Sequence, residues 1–247
     1  MTETTASPYE LFYWPTIQGR GEFIRLALEE AGAEYVDVAR QPKETGGGVP
    51  RLMQLLHDGE GSVLPFAPPL LKSGSLLLSQ TSVILAYLGP RHGLCPDSEA
   101  GRLATQALQL TLSDLVSEVH DTHHPVSTQL YYEDQKPEAA RRARALVDHR
   151  LPKFLRYFER VLEQGDGEHL VGTATTYADL SLFQVLEGLA YALPNTLSRI
   201  EHEVPRVAAL RERVAQRPRI GRYLASERRI PFNENGIFRH YPELDLG

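Results

Sequence analysis

The chain has 247 residues, of which 42% are hydrophobic and 23% are charged. This composition is typical of globular proteins and excludes a chain that is mainly disordered, and the length allows one large domain or two small ones. Lys and Arg total 26 against 32 Asp and Glu, for a net charge of -6, so the composition argues against nucleic acid or an anionic membrane as a partner.

The start of the chain alternates strand and helix signals. Tyr9–Trp14 is rich in aromatic residues and ends before Pro15, which predicts a short strand. Glu22–Ala31 carries apolar residues at helical spacing and is followed by Gly32, which predicts a helix with a glycine cap. Glu34–Ala39 alternates in polarity and predicts a second strand, parallel to the first through a right-handed crossover.

A variable segment and a hairpin follow. Gln41–Pro50 contains three consecutive glycines but lacks the lysine and hydroxyl residue of a phosphate-binding loop, so a flexible surface loop is predicted. Leu70–Leu78 has the pattern of a β-hairpin, with its turn at Lys72–Ser75. Ser82–Leu88 predicts a short helix that ends near Gly89-Pro90.

Strand signals stop at about Asp97, and long helical periodicities replace them. Leu108–Val119 and Val147–Val161 each contain an apolar face, and Pro152 is expected to bend the second of these helices. Thr176–Asp179 has the pattern of a helix-capping box. Val207–Val214 predicts a further amphipathic helix.

The predicted fold class is therefore α/β followed by all-α. An N-terminal domain at 1–90 has the order strand-helix-strand and then strand-strand-helix, and an all-helical domain occupies 98–247. Arg91–Asp97 is the predicted linker.

The sequence predicts a cytoplasmic protein. No apolar run reaches the roughly 18 residues that a membrane helix needs, and Met1–Ser7 lacks the features of a signal peptide. Cys95 is the single cysteine, which excludes an internal disulfide and agrees with a reducing compartment.

The order of elements and several strings resemble the cytosolic glutathione S-transferases, in particular tyrosine-type, bacterial-like members. This family has a thioredoxin-like first domain and a helical second domain. Three pieces carry the resemblance: Tyr13-Trp14-Pro15 with Gly19-Arg20, then Pro69-Leu70-Leu71 with Leu78-Ser79-Gln80-Thr81, and Thr176-Tyr177-Ala178-Asp179.

The resemblance implies a catalytic tyrosine. Tyr13 matches the residue whose hydroxyl donates a hydrogen bond to the sulfur of glutathione. Lowering the pKa of a thiol by two from about 8.5 requires about 2.7 kcal/mol, and a hydrogen bond to a charged group supplies about 1.5 to 3 kcal/mol. The loop from Tyr13 to Gly19 is one residue longer than in the tyrosine classes, which leaves Thr16 as a second candidate hydroxyl.

The resemblance also implies a glutathione-binding set. Arg20 matches a family arginine near the γ-glutamyl end, and its guanidinium suits a carboxylate. Gln80 and Thr81 match the residues that hold the γ-glutamyl amino-acid group, at the start of a helix where free backbone N–H groups favour an anion. The glycine carboxylate needs a cation from the segment after the second strand, and the candidates are Arg40, Lys43 and Arg51.

Pro69 matches the family's cis-proline. The residue before it normally pairs its backbone with the cysteinyl part of glutathione, but here that residue is Pro68, which has no N–H. Either the pair is incomplete and water supplies the missing donor, or the register shifts to Ala67.

A histidine cluster, His120, His123 and His124, invites a metal-site interpretation. It lacks the Glu of a His-Glu-x-x-His site, and Pro125 follows directly, so no metal is predicted. In the family this region faces the second substrate, so His120, His124 and the pair Tyr131-Tyr132 are either candidates for that pocket or surface residues.

The segment Phe232–Tyr241 carries too many aromatic residues for a solvated terminus and is expected to fold back on the body of the protein. Phe238 and Tyr241 would then either wall the second-substrate pocket or pack between the domains.

The resemblance implies a transferase for detoxification, in which the glutathione thiolate attacks a small hydrophobic electrophile. Glutathione is the co-substrate, no metal is expected, and a homodimer that uses the helix Gly101–Val119 is expected. Cys95 lies away from the position of the catalytic cysteine in thiol-using relatives and is predicted to be a packing residue. The alternatives are a glutathione-binding module with little turnover, and a glutathione-dependent peroxidase or isomerase.

Overall fold

A computed structural model describes residues 8–60 and 64–246. Met1–Ser7, on which part of the localisation prediction depends, lies outside the described residues. Among the described residues, none of the helices combines the length and the apolar character needed to cross a membrane.

A four-stranded mixed sheet is the centre of the N-terminal part of the protein. Its strands are β1 (Tyr9–Phe12), β2 (Tyr35–Asp37), β3 (Leu70–Ser73) and β4 (Leu76–Ser79). The order across the sheet is β2-β1-β3-β4, with β1 parallel to β2 and the other pairs antiparallel. Both the predicted parallel pair and the predicted hairpin are therefore confirmed. The first two strands are shorter than predicted, because β1 ends at Phe12 and β2 ends at Asp37.

Three helices pack against this sheet: α1 (Gly21–Ala31), α2 (Gly48–Asp58) and α3 (Thr81–Arg91). The first ends at Gly32, whose φ of 65° is the left-handed cap that the sequence predicted. Helix α3 ends at Arg91, one residue after the predicted end near Gly89-Pro90. A proline in the last turn removes a single helical hydrogen bond.

Helix α2 was missed, because the prediction of a loop over 41–50 covered its first turn. Its buried side chains are Leu52 and Leu55, which pack with Phe12 and Leu70 under one face of the sheet. Two buried positions make a weak periodicity, and a glycine-rich start with Pro50 reads as a loop although proline fits the first turn of a helix.

The second half of the protein is helical. It contains α4 (Glu99–His120), α5 (Lys136–Ala145), α6 (Leu151–Gln164), α7 (Tyr177–Ala192), α8 (Pro194–Glu201), α9 (Pro205–Ala215) and α10 (Pro218–Leu224). The thioredoxin-like order followed by helices agrees with the predicted fold class. The domain limits 1–90 and 98–247 stay a prediction; α3 ends at Arg91 and α4 begins at Glu99.

The helix is irregular next to Pro152, and the bend expected there stays a prediction. A π-helical turn, Leu146–Arg150, joins α5 to α6 directly before this residue. Because proline has no N–H, the regular hydrogen-bond ladder is interrupted there, and local widening of the helix is one response to such an interruption.

The predicted capping box at the start of α7 is confirmed. The Thr176 hydroxyl oxygen accepts a hydrogen bond from the Asp179 backbone N–H at 3.4 Å, and the Asp179 carboxylate accepts from the Thr176 N–H at 2.7 Å. The same carboxylate accepts from the Leu170 N–H at 2.8 Å. Asp179 therefore joins the preceding loop to the central helix of the second half.

Helix α1 lies between the sheet and the helical half, and it carries a buried ionic network. Arg25 is fully buried; its Nε donates to Asp37 at 2.8 Å and its Nη1 donates to Glu22 at 3.2 Å. Glu22 also accepts a hydrogen bond from the Tyr223 hydroxyl at 2.7 Å and forms an ion pair with Arg229. Two carboxylates thus face two guanidiniums, so the charges balance at the junction of the two halves.

Candidate active site

Tyr13 directly follows β1 and lies beneath the loop that leads into α1. Only 5% of its surface is exposed. Gly19 and Gly21 pass so close to the ring that a Cβ on Gly19 would lie 2.2 Å from the hydroxyl oxygen, and one on Gly21 would lie 2.6 Å from Cγ. The loop backbone therefore covers the aromatic ring, at a distance that only glycine allows.

The hydroxyl of Tyr13 has a defined partner. Its oxygen accepts a hydrogen bond from the Arg20 backbone N–H at 2.8 Å, directly before the first residue of α1. Burial raises the pKa of the Tyr13 phenol, although the Arg20 N–H and the positive charges of Arg20 and Arg25 act against this. The phenol is therefore protonated at neutral pH, and its own proton remains free to be donated.

Thr16, the second candidate hydroxyl, has a different environment. It is exposed, and its backbone carbonyl accepts a hydrogen bond from the Asn233 side chain at 2.9 Å. The N–H of Arg20 is directed to Tyr13 rather than to Thr16, which makes Tyr13 the stronger candidate.

The residues expected to hold the γ-glutamyl group meet the loop that covers Tyr13. Thr81 is buried at the first position of α3, and its hydroxyl donates to the Arg20 carbonyl at 3.5 Å. Gln80 is exposed directly before that helix, with φ 70° and ψ 120°. A positive φ in a residue other than glycine is uncommon and often marks a functional position. The structure thus brings Arg20 and Thr81 into contact and places Gln80 beside them.

The Pro68–Pro69 peptide bond is cis, directly before β3, as the resemblance of Pro69 to the family's cis-proline implied. Pro69 is buried and Pro68 is half-buried. Because neither residue has an N–H, the backbone at this turn offers only carbonyl acceptors.

The three cations considered for the glycine carboxylate are not equivalent. Arg40 donates to the backbone carbonyls of Arg228 at 2.7 Å and Glu227 at 3.2 Å. Its guanidinium is thus engaged by the segment after α10. Lys43 and Arg51 are left as the candidates, and Arg51 donates to the exposed Gln54 in its own helix at 3.1 Å.

The three histidines at the end of α4 form one cluster. Their ring centroids lie 5.2 Å apart from His120 to each of the others, and 4.9 Å apart between His123 and His124. Burial, and to a smaller extent the positive charges of Arg20 and Arg239, lower the pKa of His120. Over residues 8–60 and 64–246, no three metal-ligating side chains are arranged to hold an ion.

His123 is the most deeply buried of the three and predicts a pH dependence of stability. Burial lowers its pKa to about 3, and its Nε2 lies 2.8 Å from the carbonyl oxygen of Ile237. A histidine in the unfolded chain has a pKa of about 6.5 and binds a proton below that pH. Folded His123 stays uncharged down to a pH of about 3. The free energy of unfolding should therefore fall as the pH drops from about 6.5 towards 3, by up to about 1.4 kcal/mol per pH unit, with no contribution above that window.

Urea unfolding of the wild type and of His123→Gln at pH 7 and pH 5 checks this expectation. The glutamine keeps a donor for the Ile237 carbonyl but has no titration, so the variant should lose about 1 to 2 kcal/mol less between the two pH values. His120 and His124 are present in both proteins and their contribution cancels. Equal losses in the two proteins would contradict a buried, neutral His123.

The segment after α10 folds back as predicted. Phe238 is 3% exposed, and its ring lies against Gly188 in α7, where a Cβ would be 2.3 Å away. Tyr241 stacks on Tyr132 with ring centroids 3.8 Å apart. Of the predicted pair Tyr131-Tyr132, Tyr131 is 78% exposed, whereas Tyr132 is buried. Phe238 thus packs against α7, whereas Tyr131 lies at the surface.

Sequence reasoning missed the residues that fasten the Tyr13 loop. Gln18 is 5% exposed, and its side chain donates to the Ile230 carbonyl at 2.5 Å and accepts from Gln184 at 2.7 Å. A lone glutamine in a loop gives no signal of burial. The flanking glycines at 19 and 21 were the available sign that backbone and side chain approach closely here.

Cys95 is buried, and burial raises the pKa of its thiol. A raised pKa lowers the thiolate fraction, so Cys95 has the environment of a packing residue rather than of a nucleophile.

Comparisons with known proteins agree with this architecture. The family model described as "Glutathione S-transferase, C-terminal domain" matches residues 120–227. Glutathione S-transferase A4 of Bos taurus is 30% identical, over 77% of this chain and 78% of the relative. The glutathione S-transferase of Plasmodium falciparum is 24% identical, over 88% of this chain and 96% of the relative. Both are eukaryotic proteins, and the bacterial-like subtype stays a prediction.

The fold is similar to that of the Pi-class glutathione S-transferase of Onchocerca volvulus, with a TM-score of 0.71 at 21% identity, covering 93% of this chain and 99% of that one. A structure titled prostaglandin synthase D of Nilaparvata lugens gives a TM-score of 0.69 at 20% identity, over 91% of this chain and all of that one. Together with the sequence matches along most of its length, this places the chain in the glutathione S-transferase family of enzymes.

Proposed function

We propose that the protein activates the thiol of glutathione through Tyr13 and transfers the resulting thiolate to a small hydrophobic electrophile. The observation that carries this proposal is the hydrogen bond from the Arg20 N–H to the Tyr13 oxygen. It fixes the phenol at the entrance of α1 and leaves the phenolic proton as the donor for a sulfur anion.

Two electrostatic contributions favour the thiolate in this arrangement. A hydrogen bond from the Tyr13 hydroxyl to a charged sulfur supplies about 1.5 to 3 kcal/mol. The N-terminus of α1 supplies about 0.3 to 1 kcal/mol more. Together these match the roughly 2.7 kcal/mol needed to lower the thiol pKa by about two.

The chemistry then follows from the thiolate. The thiol proton leaves to solvent, the sulfur lone pair forms a C–S bond, and the electrophile either expels a leaving group or takes up a proton after addition. Peroxide reduction and isomerisation are alternatives that start from the same thiolate.

We assign the binding of glutathione to Arg20, Gln80 and Thr81, together with the backbone at Pro68 and Pro69. The contact between Thr81 and Arg20 supports a shared site, and so does the unusual backbone of Gln80. The second substrate is assigned to the region near His120, His124 and Phe238, with Tyr241 behind it. A cytoplasmic location and a role in detoxification complete the proposal; the free, buried thiol of Cys95 agrees with a reducing compartment.

The test is a titration of the wild-type protein with glutathione at neutral pH, followed by the ultraviolet absorbance of the thiolate. Saturable growth of the thiolate signal is the expected result. Binding measured by calorimetry without any thiolate signal would contradict activation and would favour the second candidate function.

That second candidate is a glutathione-binding module with little turnover, and Pro68 is the observation that favours it. Without an N–H at Pro68, one half of the backbone pair to the cysteinyl part of glutathione is lost. Such a module would bind glutathione and leave its thiol protonated.

We also propose a homodimer that uses α3 and α4. Leu103 and Leu110, two turns apart on the same face of α4, are 63% and 51% exposed, and Val83 on α3 is 48% exposed. Exposed apolar side chains that share a face mark interaction surfaces.

Sedimentation velocity tests this assembly with Leu110→Glu, and with Met53→Glu as the control. Met53 is a similarly exposed apolar residue, at 49%, but it lies on α2. The wild type and the control should sediment as dimers and Leu110→Glu as a monomer. A dimer that is indifferent to Leu110→Glu would contradict the proposed surface.

A further inference from the structure

Gln18 is held by side chains and backbone from three parts of the fold. Its amide Nε2 donates to the Ile230 carbonyl at 2.5 Å, and its Oε1 accepts from the Gln184 amide in α7 at 2.7 Å. Its backbone carbonyl accepts from the Glu22 N–H at 3.1 Å and from Arg25 at 3.4 Å. Every polar group of this amide side chain thus has a partner, and both side-chain partners belong to the helical half or to the segment after α10.

The contacts continue beyond Gln184, which is itself fully buried. The oxygen of its side-chain amide accepts from Arg229 at 3.0 Å, and Arg229 forms an ion pair with Glu22 in α1. Because an amide donates at one end and accepts at the other, this arrangement fixes the orientation of both glutamines. The hydrogen bonds therefore run in one direction: Arg229 donates to Gln184, and Gln184 donates to Gln18.

The position of Gln18 determines where the next two residues lie. Gly19 and Arg20 follow it directly, and the Gly19 backbone passes so close to Tyr13 that a Cβ there would lie 2.2 Å from the hydroxyl oxygen. Because the Arg20 N–H that bonds to Tyr13 is only two residues from Gln18, a displacement of Gln18 changes the distance or angle of that bond. Hydrogen bonds weaken steeply with a poor angle.

We infer that Gln18 and Gln184 are positioning residues through which the helical half sets the hydrogen bond between the Arg20 N–H and Tyr13, and thereby the acidity of bound glutathione. This inference rests on the proposed function of Tyr13. It adds that the geometry of the tyrosine is set from outside the sheet domain, by side chains that touch neither substrate.

The test compares Gln18→Met and Gln184→Met with the wild type, with Tyr13→Phe as the reference for loss of the hydroxyl. Methionine keeps the length of glutamine without its hydrogen bonds. The measured quantities are the pKa of bound glutathione from thiolate absorbance, the dependence of kcat on pH, and KM for glutathione.

We expect both methionine variants to raise the pKa of bound glutathione and to lower kcat at neutral pH by about three- to tenfold, with KM for glutathione within about twofold. The loss should disappear at a pH above the raised pKa. Recovery of this kind is specific to acidity, since a smaller folded fraction would lower the rate at every pH.

Thr176→Ala is the matched control for stability, because it removes a buried cap at the start of α7 whose hydroxyl bonds to Asp179. It should lower the free energy of unfolding by about 0.5 to 2 kcal/mol and leave the pH profile of kcat unchanged. If the two glutamine variants behave as this control does while Tyr13→Phe moves the profile, the positioning role is overturned and the function of Tyr13 stands. If Tyr13→Phe itself leaves the profile unmoved, both proposals are overturned.

Discussion

Replacing Tyr13 by Phe should lower kcat at neutral pH by about 10- to 100-fold while changing the affinity for glutathione by no more than about threefold. The size of the effect follows from the loss of one hydrogen bond to a charged sulfur, about 1.5 to 3 kcal/mol, at about 1.4 kcal/mol for each factor of ten. Affinity should change little because the proposed binding contacts lie at Arg20, Gln80 and Thr81.

The direction of the pH dependence gives this prediction a second, independent signature. Without the hydroxyl, the pKa of bound glutathione should rise, so the thiolate forms only at higher pH. The difference between wild type and variant should therefore shrink as the pH increases. A rate deficit that is equal at every pH would indicate that the hydroxyl acts on the electrophile instead.

Tyr9→Phe is the matched control for this experiment. Tyr9 lies at the other end of β1, and its hydroxyl is 3.0 Å from a ring nitrogen of His92. The substitution removes a hydroxyl from the same strand without touching the loop before α1. Its kinetic constants should equal those of the wild type, and a comparable loss in Tyr9→Phe would show that any hydroxyl removed from β1 disturbs the site.

Replacing Arg25 by Met should lower the free energy of unfolding by about 3 to 5 kcal/mol, the cost of leaving buried carboxylates without their cation. Arg25 is fully buried, and it donates to both Glu22 and Asp37. Methionine matches much of the aliphatic part of arginine, so the loss reports the charge rather than a cavity. Urea unfolding at pH 7 measures it.

Two further variants separate the charge effect from a general loss of packing. Arg156→Met removes an ion pair with Glu203 whose arginine side chain is 58% exposed, and it should cost less than about 1 kcal/mol. Adding Asp37→Asn to Arg25→Met should recover part of the loss, because one of the two stranded charges is then gone. A double variant less stable than Arg25→Met would contradict this account of the network.

How far the sequence could predict the fold depended on the strength of each local pattern. The hairpin at 70–79 and the capping box at Thr176 were predicted because glycine turns and capping residues act within a few positions. Helix α2 was missed because it buries only Leu52 and Leu55 strongly, which gives almost no periodicity. The end of α3 was predicted to within about one residue, because a Gly-Pro pair is a strong local stop signal.

The candidate site was predictable where residues are close in sequence. Tyr13, Gly19 and Arg20 belong to one short segment, and the structure brings them into contact. The partners of Gln18 were not predictable, because Gln184 and Ile230 are far away in sequence and a glutamine looks the same whether buried or solvated. Neither could the engagement of Arg40 by two backbone carbonyls be predicted, since any residue can supply a carbonyl.

The contact between Gln18 and Ile230 spans 212 positions of the chain, and this separation bears on protein synthesis. A ribosome adds about 5 to 20 residues per second, so roughly 10 to 40 s pass between the translation of Gln18 and that of its partner. During this interval the nascent sheet domain contains Tyr13 but lacks the groups that fasten the loop above it. We therefore expect the loop above Tyr13 to reach its final position only late in translation, when the segment after α10 has emerged and can dock.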